Sequence, residues 1–276
     1  SDGMIAPEAA VTRTIPILVL ALLLVPARGG GTPGSRADEA GPPPARPLVV
    51  VIDPGHGGHN TGALGVAGVH EKHLTLAMAQ RVASLLEETA SVRVVLTREA
   101  DTFLDLEART AFADGVDADA FLSLHCNAST SAEARGIETF FLGVRGSDPE
   151  ADALALRENE SAVTPTPPDD DPMVAAIVSD LRRNGTMSES SDLAAVVQEA
   201  LVKALPEAVS RNVRQANFAV LRQASMPAVV VEVGFLTHAV EGRLLVREAY
   251  QDRIARALAA AVVTFARRTA GERRVP

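Results

Sequence analysis

Three short apolar runs constrain this chain most: Leu48-Val49-Val50-Val51-Ile52-Asp53, Ala120-Phe121-Leu122-Ser123-Leu124-His125-Cys126 and Ala228-Val229-Val230-Val231-Glu232-Val233. Runs this apolar and this brief read as strands covered on both faces. Helical spacing appears between them, as in Leu74, Met78, Val82 and Leu85 within Glu71–Glu88. Further helices are expected at Leu104–Asp114, Glu150–Asn159, Asp192–Leu205, Val240–Arg247 and Tyr250–Arg267, and further strands at Val92–Thr97, Ile137–Leu142 and Phe218–Arg222. Strands alternating with helices predict an α/β fold. Its sheet should be mostly parallel and twisted, with helices on both faces, in a single catalytic domain over residues 48–270.

Each of the three runs delivers a titratable side chain at its carboxyl end. The first breaks into Pro54-Gly55-His56-Gly57-Gly58, the second ends on His125, and the third carries Glu232 just before Gly234. Glu71 opens the helix after the first turn. Ligands in open α/β sheets gather at these strand ends. Two imidazoles and a carboxylate converging there make a three-ligand zinc site with one open position. A further carboxylate is the general base that such a site needs.

All six histidines, His56, His59, His70, His73, His125 and His238, fall in or beside these loops. His56 is nearest its strand end, and His59 is the alternative ligand. His70 and His73 flank Glu71 at a helix start and should point to other faces. His238 lies beyond the Glu232 strand and could support a ligand from behind. Glu232, inside Val-Val-Val-Glu-Val, is costly to bury unpaired. It either pairs with an arginine or serves a metal's bound water. The strand's period of two puts Cys126 opposite His125, so a structural role in the core is expected for the thiol.

Composition removes other function classes. The net charge of −9, the absence of Trp and a single Tyr argue against nucleic acid. Residues 148–192 hold eleven acids against Arg157, Arg182 and Arg183, which is nearly the whole excess. That segment reads as a solvated acidic surface or as a regulatory insert. Near the start, Arg13 precedes the apolar stretch Ile15–Val25, followed by Val25-Pro26-Ala27. This pattern predicts a cleaved export signal over 1–27, and a Gly/Pro/Ala-rich flexible linker over 28–47. The stretch is too short for a stable membrane span in the mature form. No cysteine follows it closely, so no lipoprotein anchor is expected. One cysteine allows no internal disulfide, which suits a bacterial envelope or periplasm.

The motifs together resemble the zinc-dependent N-acetylmuramoyl-L-alanine amidases of the Amidase_3 family. The stretches that carry the resemblance are Val51-Ile52-Asp53-Pro54-Gly55-His56-Gly57-Gly58, His70-Glu71-Lys72, Leu96-Thr97-Arg98, Leu122-Ser123-Leu124-His125-Cys126-Asn127-Ala128 and Val231-Glu232-Val233-Gly234-Phe235-Leu236, in family order. The resemblance implies one zinc ion on His56, Glu71 and His125, with Glu232 catalytic. It implies cleavage of the amide between muramic acid's lactyl group and L-alanine in peptidoglycan. Asn127 is a substrate-binding candidate, while Arg98 and Arg109 fall in matched stretches without an assigned role. Cys126 and Thr237-His238 depart from the usual family residues.

The acidic segment resembles the insertion of cell-division amidases, placed here at 158–190. There a helix, matched by residues 172–184, occludes the site until an activator of LytM type displaces it. Glu158 is the candidate for filling the open zinc position, with Glu160 second. A monomer is expected. The alternatives are a zinc carboxypeptidase trimming stem peptides and a non-enzymatic wall-binding module on the same fold.

Overall fold

A computed structural model describes residues 46–87, 89–161 and 186–272. The export signal, most of the linker and the helix expected at 172–184 lie outside the described residues. Six strands, β1 (Leu48–Pro54), β2 (Val92–Leu96), β3 (Ala120–Asn127), β4 (Ile137–Leu142), β5 (Ser210–Ala216) and β6 (Ala228–Phe235), form one sheet in the order β2-β1-β3-β6-β4-β5. Neighbours run parallel except β4, which is antiparallel to β6. The described helices are α1 (Glu71–Leu86), α2 (Leu106–Gly115), α3 (Pro149–Glu158), α4 (Thr186–Ala204), α5 (Glu241–Leu245) and α6 (Glu248–Glu272).

The period of two divides each strand between two cores. Val50 and Ile52 of β1, with Leu122 and Leu124 of β3, face α1, α4 and α6 through Met78, Val197 and Leu258. Val51 and Phe121 face the other side, against Ala113 of α2, Leu154 of α3 and Phe218. Helices therefore cover both faces, as expected for a sheet whose central strands are apolar throughout.

The structure corrects one element. Phe218–Arg222 is not a strand: Ala219–Leu221 forms a 3-10 turn, and the strand is β5, just before it. Ser210-Arg-Asn-Val-Arg-Gln-Ala reads as loop because β5 is an edge strand, half exposed along most of its length. Polar residues are the normal occupants of such an edge. The helix expected from Asp192 is already present at Thr186, so the described part of the acidic segment is partly helical.

The chain passes from β1 to β2 on one side and returns to β3 on the other. This reversal opens a crevice at the carboxyl ends of β1 and β3. Asp53, fully buried near the end of β1, fixes the geometry there. Its Oδ1 accepts hydrogen bonds from Thr97 Oγ1 at 2.6 Å and Arg109 Nη1 at 2.7 Å, and its Oδ2 accepts one from Ser123 Oγ at 2.7 Å. Arg109 also donates to the carbonyls of Pro54 and His56, at 2.9 and 2.8 Å. Arg98 donates to those of Pro54 and Gly55, at 2.9 and 2.8 Å. The two arginines thus hold three successive carbonyls that have left the sheet ladder. Burial alone would raise the Asp53 pKa, but Arg109 and the two hydroxyls more than offset it and bring it below its ordinary 3.8.

Breaking one partner of a buried, hydrogen-bonded pair costs about 3–5 kcal/mol. Arg109→Met is expected to lower stability by that order in urea denaturation at pH 7. The folded-state pKa of Asp53 is depressed, so its stabilisation is complete above its unfolded value and lost as pH falls through the folded one. The stability gap between the parent and Asp53→Asn should therefore shrink as pH drops below 3.8. A gap that stays constant through that range contradicts the assignment.

Candidate functional site

The turn braced by the two arginines sets His56 in the left-handed region, at φ 62°. A non-glycine residue there is strained and persists only where its surroundings over-determine it. Gly57 and Gly58 follow, also with positive φ, and Gly57 exchanges backbone hydrogen bonds with Asn60. His56 Nδ1 lies 2.9 Å from Asn60 Oδ1. An amide oxygen only accepts, so Nδ1 carries a proton, and Nε2 is the nitrogen left to lose its proton and act as a ligand.

Nε2 faces Glu71, the first residue of α1. Glu71 Oε2 is 3.0 Å from His56 Nε2 and accepts a hydrogen bond from Ala63 N at 3.0 Å. Its Oε1 accepts from Cys126 N at 2.9 Å and lies 3.1 Å from His125 Nδ1. The His125 ring packs over Gly55, leaving no room there for a β-carbon. The two imidazoles meet edge to face, with centroids 4.8 Å apart.

Two more carboxylates reach this point. Glu158, at the end of α3, places Oε2 3.5 Å from His56 Nε2 and 3.4 Å from His125 Nδ1. Glu232, on β6, pairs in register with His125 on β3 and with Glu138 on β4. It is fully buried, and neither of its oxygens has a hydrogen-bond partner among the described residues. The ligand atoms of His56, Glu71 and His125 lie within 4.8 Å of one another, as do those of His125, Glu158 and Glu232.

The electrostatics of this cluster are unbalanced without a cation. His56 Nε2, Glu158 Oε2 and both Glu232 oxygens are buried polar atoms without a hydrogen-bond partner among the described residues. Burial disfavours a charged imidazole at His56, but the Glu71 and Glu158 carboxylates lift its pKa to about 9. Burial, then Glu158, Glu71 and Glu138, push Glu232 well above the usual carboxylate range. Nitrogen and carboxylate donors gathered this closely fit a divalent transition metal. The cluster opens into a cavity of about 610 Å³ lined by His59, Thr61, Ala128, Arg157 and Glu160 among others.

The structure thus brings His56, Glu71, His125, Glu158 and Glu232 together. His59 stacks against Phe103 at 4.1 Å between centroids and does not join them. Glu160 lines the cavity only. His238 Nδ1 accepts from Glu241 N at 3.2 Å, supporting the start of α5 rather than a ligand. Cys126 lies in the core cluster, its thiol pKa pushed up by burial and then by Glu71 and Glu232. Asn127 donates to Glu138 Oε1 at 2.7 Å and accepts from Arg157 Nη2 at 3.1 Å. Three contributors escaped sequence reasoning: Asn60, Glu138 and Arg157. Glu138 carried a usable signal, because Ile-Glu-Thr-Phe-Phe-Leu buries a carboxylate just as the β6 run does.

Comparison with known proteins gives a consistent result. A family model, Amidase_3, described as N-acetylmuramoyl-L-alanine amidase, matches residues 50–264. The N-acetylmuramoyl-L-alanine amidase AmiA of Escherichia coli is 38% identical over 220 residues, covering 79% of this chain and 75% of that protein. AmiC of Neisseria meningitidis is 33% identical, and the match covers 79% of this chain but 52% of that protein. Among solved structures, the catalytic domain of CwlV, an amidase from Bacillus (Paenibacillus) polymyxa, is 32% identical with a TM-score of 0.61, covering 79% of this chain and 97% of that domain. AmiC2 of Nostoc punctiforme is 30% identical with a TM-score of 0.60, covering 79% and 96%.

Gly55→Ala tests whether the packing of His125 sets the metal-binding geometry. The added methyl meets the imidazole ring, so the ring must move. The variant should fold and lose metal affinity by at least the ~10–100-fold typical of disturbed ligand orientation. Circular dichroism and a competitive chelator titration check this. Parent-like affinity in a folded variant overturns it.

Proposed function

The chain belongs to the Amidase_3 family and is an N-acetylmuramoyl-L-alanine amidase, and we propose that it works with one zinc ion held by His56, Glu71 and His125. Its substrate is peptidoglycan, and the bond cleaved joins N-acetylmuramic acid to L-alanine. The observation that carries the zinc reading is the cluster of two histidines and three carboxylates at the crevice, in which His56 Nε2, Glu158 Oε2 and both Glu232 oxygens are buried without a hydrogen-bond partner among the described residues. Zinc supplies polarisation of a carbonyl and a lowered pKa for water.

The chain's own residues supply the rest. Asn60 keeps the proton of His56 on Nδ1, so Nε2 stays available as a ligand. Glu232, dry and unpartnered, is the general base. It takes the proton of the attacking water and passes it to the leaving amine. Burial raises its pKa towards the working range, which a proton carrier requires. The carboxypeptidase and binding-module readings have no observation in their favour that the amidase reading lacks.

The resting protein is autoinhibited on this reading. Glu158 sits within 3.5 Å of both histidine nitrogens, where it would compete for the metal that they hold. Release by an activator, a role in cell division and export to the periplasm belong to the same proposal. The export signal at 1–27 is its sequence basis, and no helix among the described residues is long and apolar enough to cross a membrane.

Alanine at His56, Glu71 or His125 should remove stoichiometric zinc, as measured by elemental analysis. Glu232→Gln should retain zinc and lose about 10²–10⁴-fold in turnover of purified peptidoglycan. Loss of zinc in that variant makes Glu232 a ligand instead. Glu158→Ala should raise basal release of lactyl-bearing glycan, followed by mass spectrometry of the products. A basal rate no higher than the parent's, with zinc and fold intact, rules out the blocking role.

A further inference from the structure

Arg157, next to the proposed blocking glutamate, has contacts that a bystander would not need. Its Nη1 donates to Ala128 O at 3.1 Å and its Nη2 to Asn127 Oδ1 at 3.1 Å. Its Nε donates to Glu158 Oε1 at 3.3 Å. The guanidinium fork thus spans two acceptors on adjacent residues, two and three positions after His125. Ala128 and Arg157 line the same cavity as the metal cluster.

Those acceptors are prepared. Asn127 Nδ2 donates to Glu138 Oε1 at 2.7 Å, which fixes the amide so that Oδ1 turns away from Glu138. Glu138 is itself buried and held by Arg211 Nε at 3.0 Å and by Arg214. The register between β3 and β6 shifts between His125 and Asn127, and the named strand ends at Asn127. The Ala128 carbonyl therefore lies beyond the ladder. Two oxygens held this way accept a pair of N–H donors.

We propose that Asn127 Oδ1 and Ala128 O form a subsite for amide N–H donors of the peptide stem, and that Arg157 fills it in the resting protein. Peptide substrates carry such donors on the amine side of the scissile bond. This rests on the amidase reading above, and it gives Arg157 a role separate from that of Glu158. The hydrogen bond between the two side chains makes them leave together. One displacement then uncovers the metal position and the peptide subsite.

The test uses the full chain and two variants, Arg157→Ala and Arg157→Gln, with methylguanidinium chloride as the probe. In either folded variant, methylguanidinium should shift the backbone amide resonances of Ala128 and Ser129, whereas the parent, whose subsite is filled, should not respond. Basal hydrolysis of peptidoglycan should rise roughly tenfold, as expected for removing one charge-assisted contact. The gain should appear as a lower KM with kcat little changed, and methylguanidinium should compete with substrate. Folded variants that neither bind the probe at Ala128 nor gain activity overturn the proposal. If the probe binds there but no variant, Glu158→Ala included, releases lactyl-bearing glycan, the amidase reading fails and the subsite stands.

Discussion

The buried carboxylate of Asp53 is the interaction on which the rest of the site depends. It has a rigid strand behind it and receives three hydrogen bonds from three different elements. Through Arg109 its charge extends to the carbonyls of the turn that follows, and Arg98 holds the same turn from the other side. Backbone carbonyls leaving a buried strand need donors. Arginine meets several at once because its donors lie in a fixed plane. The strained φ of His56 follows from this bracing. Held by two arginines and a buried ion pair, the His56 turn has its conformation set by the protein scaffold itself.

The same crevice gathers more negative charge than a protein interior normally holds. Glu71, Glu138 and Glu232 are all almost fully buried, and Glu158 reaches in beside them. Each is settled differently. Glu138 is neutralised by Arg211 and Arg214. Glu71 takes two backbone N–H donors and lies against both imidazoles, which outweigh its burial and hold its pKa well below the usual value. Glu232 has no donor among the described residues, and burial pushes its pKa well above the usual carboxylate range. On the proposed reading that difference separates a structural carboxylate, a ligand and a proton carrier, though all three belong to one residue type.

Much of this was legible in the sequence. The central strands showed because strands buried on both faces must be apolar throughout, and a titratable residue closing such a run is conspicuous. His56, His125 and Glu232 stood out for that reason, and Glu71 for its place at a helix start. β5 was not legible, because an edge strand half in water has no apolar requirement and Ser210-Arg-Asn-Val-Arg carries none. Arg98 and Arg109 could be noticed but not assigned. The turn carbonyls they hold are 43 to 55 positions away, and carbonyls have no sequence identity. Arg157 was invisible for a related cause. It reads as one solvated charge in an acidic helix until the fold lays that helix against Asn127.

On the proposed reading α3 both blocks the site and must release it. The helix buries only Ala151, Leu154 and Ala155, while Leu156 stays 60% exposed. At its start it is held firmly. Asp148 caps it and pairs with Arg214, and Glu150 pairs with Arg211. At its end the buried Asn159 donates to Asn217 O at 2.8 Å and accepts from Ala219 N at 2.7 Å, while Arg157, with its side chain 42% exposed, reaches across to Asn127 and Ala128. Exposed contacts of the Arg157 kind are weakened by water and salt and are worth about 1 kcal/mol or less each. Both ends of the helix are therefore tied down, and on the proposed reading the movable parts are the Arg157 and Glu158 side chains rather than the helix itself. A partner that prefers the uncovered form about 100-fold supplies about 2.7 kcal/mol, comparable to a few such exposed contacts. Modest binding energy can then displace those side chains while Asn159 and the Asp53 scaffold beneath stay fixed.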